Sequence, residues 1–258
     1  MRERINAFLS NESSFGKLMT KLGIIIGANL MFVLFCMPVV TIGAAWAALD
    51  HVMLKTLRGD GVLNPFKQFW AGFKSNFKQA TIAWLAVLAV AALGWVDVRF
   101  LLHMGGAMVK FRYAIYAVGV VLLIGVIYLF PTMAAFANRL PVLFRSGYYF
   151  AFKKPLKLLV LLFFHVFPLF LTYTDAQMMP LYAFLWTFFG FGAIAMLTAK
   201  LLLPQFKPLL PLVDDAGDFI LDENGTPLMP GQEDQIPGEG AGEKSQAEIL
   251  EEMKKLGM

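Results

Sequence analysis

The feature that most limits this chain is a set of apolar runs almost free of charge. They lie at residues 22–37, 42–56, 79–98, 113–137, 158–174 and 179–203. Their lengths approach or exceed the roughly 17 residues that a helix needs to cross a hydrocarbon core of about 30 Å. Continuous stretches such as LAVLAVAALGWV and LLVLLFFHVFPLF lack the apolar/polar alternation of membrane β-strands. With 58% hydrophobic and only 16% charged residues, the chain has too little charge to cover a water-soluble surface. The expected fold is all-α: a polytopic transmembrane bundle of about six membrane helices plus two interfacial amphipathic helices.

The first two runs meet at FCMPVVTIG, residues 35–43. Pro38 removes a helix hydrogen bond, Gly43 relaxes the backbone nearby, and Thr41 stands where a helix N-cap belongs. The reading is a hairpin at Pro38 with a fresh helix from Ile42. Both flanks are basic: Arg2, Arg4, Lys17 and Lys21 before it, Lys55, Arg58, Lys67, Lys74 and Lys78 after it. The positive-inside rule then puts both flanks in the cytoplasm. Continued alternation makes 99–112 an external loop, which contains His103, makes 138–157 a cytoplasmic one, and leaves 16 basic residues inside and 3 outside. This predicts a multi-pass protein of the cytoplasmic membrane with both termini cytoplasmic. No secretory signal is read in the opening residues.

Charge also divides the chain lengthwise. Residues 1–211 hold 19 Lys and Arg against 6 acids, and residues 212–258 hold 12 acids against 3 lysines. The divisions are a cytoplasmic segment 1–20, a membrane domain 21–211 and an acidic, Gly/Pro-rich tail 212–258 expected to be mostly disordered, with a short terminal helix in SQAEILEEMKKLGM. The net charge of +4 reads as membrane orientation rather than nucleic-acid binding.

Two basic loops resemble each other: PFKQFWAGFKSNFKQATIAWL at 65–85 and LFRSGYYFAFKKPLKLLVLLF at 143–163. Aromatic and cationic side chains interleave at near-helical spacing through Lys67, Trp70, Phe73, Lys74 and Lys78, and through Arg145, Tyr149, Phe152, Lys153, Lys154 and Lys157. That pattern suits helices lying in the headgroup layer, with the lipid bilayer as partner. It also suggests parallel repeats over about 40–98 and 120–174.

The sharpest candidate site is Asp50 with His51, on the run 42–56, because an intramembrane acid is costly unless paired or wetted. Asn29 and His165 are the polar residues that could join it. A proton or cation site and a structural polar pair both fit these residues. No metal site is expected, since three dispersed histidines and the lone Cys36 give no ligand spacing. No cofactor is expected either: no phosphate-binding loop G-x-x-x-x-G-K and no nucleophile elbow G-x-S-x-G occurs.

The stretches LMFVLFCMPVVTIGAAWAAL, HVMLKTLRGDG and FWAGFKSNFKQATIAWL resemble the YesL-like family of bacterial integral membrane proteins, a domain of unknown function. The resemblance covers roughly residues 15–211, and the acidic tail and Asp50 depart from the family pattern. It implies an association with carbohydrate uptake. Three functions are carried forward: a non-enzymatic accessory or scaffolding component with a membrane-protein partner, a small transporter or channel using Asp50 and His165, and, least supported, an enzyme on lipid or glycan. Oligomeric state is not legible.

Overall fold

The computed structural model describes residues 13–59, 63–214, 220–222 and 225–232. Most of the N-terminal segment and the terminal-helix stretch lie outside the described residues. Ser13 begins the first helix, its side-chain oxygen accepting the Gly16 N–H at 2.9 Å. Helix α1 (Ser14–Phe35) then stops at Cys36. Pro38 is extended, and Val39–Thr41 form a single 3₁₀ turn before α2 (Ile42–Arg58). The first two apolar runs are therefore two helices joined by a tight hairpin.

The hairpin is held differently from expectation. Thr41 precedes α2 but makes no side-chain cap. Its hydroxyl donates backward to the carbonyls of Phe35, at 2.6 Å, and Pro38, at 2.8 Å, closing the loose end of α1. Gly43 is a contact point rather than a backbone hinge. A Cβ there would stand 2.5 Å from Trp84 Cβ and 2.6 Å from the Ala80 carbonyl oxygen, so only glycine allows α2 to lie this close to its neighbour.

That neighbour is α3 (Pro65–Met104), started by Asn64, whose side chain accepts from the N–H groups of Phe66 and Lys67. Its 40 residues run about 60 Å at 1.5 Å per residue. The expected interfacial helix at 65–78 and membrane span at 79–98 are thus one continuous helix, because no proline or glycine pair interrupts them. The expected external loop at 99–112 is mostly helical too. His103 lies in the last turn of α3, the chain turns at Gly105 and Gly106, with φ of 68° and 61°, and a 3₁₀ turn (Gly106–Phe111) leads into α4 (Arg112–Ala135). Lys74 sits over the Trp70 ring and Arg99 over the Trp95 ring, each 5.2 Å from the centroid. The two pairs are separated by roughly 37 Å of helix, a spacing comparable to the thickness of a bilayer core of about 30 Å.

After α4 come α5 (Leu140–Lys153) and α6 (Pro155–Thr174), separated at Lys154 by Pro155. Here the helix expected in the second basic loop is separate, and one face of it packs against the bundle. Leu143, Gly147, Phe150 and Ala151 are buried, and a Cβ added at Gly147 would touch the α4 backbone at Tyr128–Leu129, 3.6 Å away. The last apolar run is α7 (Met179–Leu185), a five-residue π segment (Trp186–Gly190) and α8 (Phe191–Phe206).

Helix α2 is the hub, packed by α1, α3, α4 and α8. Ala44, Ala45, Ala47 and Ala48 have no exposed surface. Among the described residues, five stretches are long and apolar enough to cross a membrane: Phe15–Phe35, Pro65–Met104, Met108–Ala135, Pro155–Thr174 and Ala176–Leu209. These are the marks of a membrane-spanning protein. Helix α2 is not among them. Its 17 residues reach only about 26 Å, and buried by protein along its length it has no lipid thickness to match.

The start of the tail has more structure than its composition suggests. The Arg58 side chain donates to the Pro211 carbonyl, Leu212 N–H donates to the Leu228 carbonyl at 2.7 Å, and Leu228 is buried.

Candidate functional site at the buried polar residues

Four polar side chains were expected to matter in the membrane domain, and the fold separates them. Asp50 is 1% exposed, and neither carboxyl oxygen has a hydrogen-bond partner among the described residues. At 100° per residue it shares the side of α2 that carries Trp46 and Gly43. An ionised carboxylate held there without a donor or cation would cost several kcal/mol.

His51 points elsewhere. Its ring lies against Gly72 of α3, where an added Cβ would come within 2.9 Å of it, and it hydrogen-bonds the Ala134 carbonyl at the end of α4. It bridges two helices and does not reach back to Asp50.

Asn29 is fully committed to the π segment. Its Nδ2 donates to the carbonyls of Trp186, at 2.9 Å, and Thr187, at 2.7 Å, while its Oδ1 accepts the Gly192 N–H at 2.7 Å. A π turn leaves backbone groups out of the ordinary ladder, and a buried group without a partner is costly. Asn29 supplies those partners from the facing helix.

His165 lies 2.8 Å by Nδ1 from the Leu161 carbonyl, so Nδ1 carries the proton and donates within its own helix. Its ring stacks on Trp46, 6.1 Å between centroids and 7° from parallel. Trp46, Trp186, Phe32, Phe191 and His165 enclose a cavity of about 30 Å³ with mostly apolar walls. That is room for about one water. Asp50 and Asn29 do not line it.

The aromatic–cation set also divides. Phe73 is buried, whereas Lys67, Trp70, Lys74 and Lys78 are exposed on α3. Lys153 sits 5.3 Å over the Tyr149 ring, repeating the i, i+4 geometry of Trp70 and Lys74. Arg145, Phe152 and Lys154 are exposed. Lys157 is not a free lipid-facing ammonium, because it donates to the Leu201 carbonyl of α8.

Sequence reasoning missed three groups. The Trp186–Gly192 segment needed the facing Asn29 to be understood. Its only local sign was the aromatic–glycine string WTFFGFG. Tyr128 and Gln205 are buried with their side-chain polar atoms unpartnered among the described residues, and nothing in their sequence surroundings marks them.

Residues 25–98 match the model of a family described as a protein of unknown function, DUF624. The matched stretch runs from α1 through the hairpin and α2 into α3, so it contains Asp50 and the Gly43 and Gly72 contacts. No curated protein and no solved structure matches the chain.

Proposed function

We propose that this protein is a non-enzymatic accessory or scaffolding component of the cytoplasmic membrane, with both termini inside, that assembles with another membrane protein. The observation that carries this reading is the closed hub. Helix α2 is sealed by alanines and by α3, which packs on Gly43 and takes the His51 side chain against its Gly72, and the nearby cavity of about 30 Å³ has room for about one water. A conduit needs convergent polar groups around a wet path. Here Asn29, His51 and His165 each satisfy a separate backbone carbonyl or N–H.

The outer half of α3, paired with the start of α4 through Gly94 and Ile115, supplies a surface for assembly. It exposes Leu93, Trp95 and Phe100. The family resemblance extends the proposal to a system for carbohydrate uptake. A second reading, a small transporter, draws on the unpartnered carboxyl of Asp50.

Co-purification from native membranes in mild detergent, with and without residues 212–258, tests the proposal. A stoichiometric transporter subunit retained by the full chain is the expected result. Isolation of the protein alone, with substrate flux in vesicles that is lost in Asp50→Asn, would replace the accessory role with the transporter.

A further inference from the structure

The outward face of α5 carries a pattern of its own. Val142, Arg145, Tyr149 and Phe152 recur at three- and four-residue spacing and are all exposed. Pro141, Ser146 and three of these side chains, Val142, Arg145 and Tyr149, line an open groove of about 510 Å³. Arg145 has no hydrogen bond or ion pair with a described residue. The face is therefore apolar and aromatic with an uncompensated guanidinium in its middle.

The chain leaves the membrane domain beside this helix. The Phe206 ring at the end of α8 lies 4.9 Å from Phe150 of α5 and 5.3 Å from Phe136. Arg58 of α2 then holds Pro211, and the Leu212–Leu228 hydrogen bond folds the described part of the tail back to where it leaves the bundle. Residues 233–258 continue from there with seven acids against three lysines. Even partly extended, at up to about 3.3 Å per residue, they reach the whole of α5. Within SQAEILEEMKKLGM, Ile249, Met253 and Leu256 fall at i, i+4 and i+7, flanked by Glu248, Glu251 and Glu252. An apolar stripe edged by carboxylates complements an aromatic groove centred on an arginine.

We propose that residues 245–256 dock in cis on the outward face of α5, with their apolar stripe in the groove and their glutamates against Arg145. The acidic tail thereby covers a cationic face of its own membrane domain. This contact does not depend on whether the protein serves as an accessory component. Anionic phospholipid is the competing occupant, since cations beside aromatic rings also suit headgroups. The apolar stripe and the exit point of the tail favour the peptide.

The test uses the full-length chain with Cys36→Ser in phosphatidylcholine nanodiscs and pairs Gln246→Cys with Ser146→Cys. The control pairs Gln246→Cys with Ser75→Cys, an exposed position on the basic half of α3 that lies on the same side of the membrane as the tail. Disulfide formation is expected to be about tenfold faster at Ser146 than at Ser75, as tethering with docking raises the effective concentration. Arg145→Glu should remove the preference, and Glu251→Arg with Glu252→Arg should restore it in that background. Equal rates at the two positions, or a preference indifferent to Arg145→Glu, would overturn the docking. So would Arg145-dependent retention of phosphatidylglycerol with no preference at Ser146, which would assign the groove to lipid.

Discussion

Asn29 and Gly192 share a buried hydrogen bond of 2.7 Å that fastens α1 to the first turn of α8, just past the π segment. The same amide caps the carbonyls of Trp186 and Thr187. Asn29→Ala removes the partner of one buried N–H, at a cost of about 1–3 kcal/mol, and of two part-buried carbonyls, which cost less. Asn29→Asp is expected to be worse, because it turns an acceptor toward two carbonyls. Thermal unfolding in detergent should rank the proteins as parent, Asn29→Ala, Asn29→Asp, in falling stability. An Asn29→Asp variant as stable as the parent would mean that the amide does not hold the π segment.

Gly43 and Gly119 separate packing from propensity. At Gly43 an added Cβ meets the Ala80 carbonyl oxygen at 2.6 Å, and backbone does not step aside cheaply. Gly43→Ala should cost about 1–3 kcal/mol through overpacking. Nothing stands within 4 Å of a Cβ at Gly119, inside α4. Gly119→Ala should therefore gain up to about 1 kcal/mol of helix propensity. Chemical unfolding of the two variants side by side checks the opposite signs.

The hairpin between α1 and α2 rests on few polar contacts. Trp84 Nε1 donates to the Val39 carbonyl at 2.8 Å, and Thr41 closes on Phe35 and Pro38. Thr41→Val should lower stability by about 1–2 kcal/mol, and Trp84→Phe by a similar amount from the lost bond and packing. Protease sensitivity within 36–41 is expected to rise in both.

Asp50 contributes cost rather than cohesion in this fold, since neither oxygen finds a donor among the described residues. Asp50→Ala adds no volume and removes a buried polar group whose desolvation is worth about 1–3 kcal/mol. The variant is expected to melt no lower than the parent. A drop of several degrees would show that the carboxyl has a partner essential to folding.

The helical architecture could be read from apolar run length, and the break at Pro38 from one residue whose chemistry cannot continue a helix. The unity of α3 could not be read, because the boundary near residue 78 was inferred from a change in polarity, and polarity does not end a helix. The break between α5 and α6 was read from the same kind of change in polarity, and it holds because Pro155, which was not weighed, ends the helix there. Asn29, His51 and His165 were singled out as polar groups in an apolar domain. Their partners lie 157 or more residues away for Asn29, on other helices for His51, and one turn away for His165. No local pattern distinguishes those three outcomes. The contact at Gly43 was not foreseen because its crowding comes from Ala80 and Trp84, 37 and 41 residues along the chain and invisible before folding.

The central claim is that α2 is a closed, protein-buried hub. Thiol accessibility measures this directly, in a Cys36→Ser background with Asp50→Cys and, as the exposed reference, Met37→Cys, whose position is 77% exposed. Membrane-impermeant reagent applied to both faces of sealed and opened vesicles should label Met37→Cys from one side and leave Asp50→Cys unmodified until the protein is denatured. Labelling of Asp50→Cys in the folded protein, at a rate comparable to Met37→Cys, would reveal a water path to the centre of α2 and contradict the account.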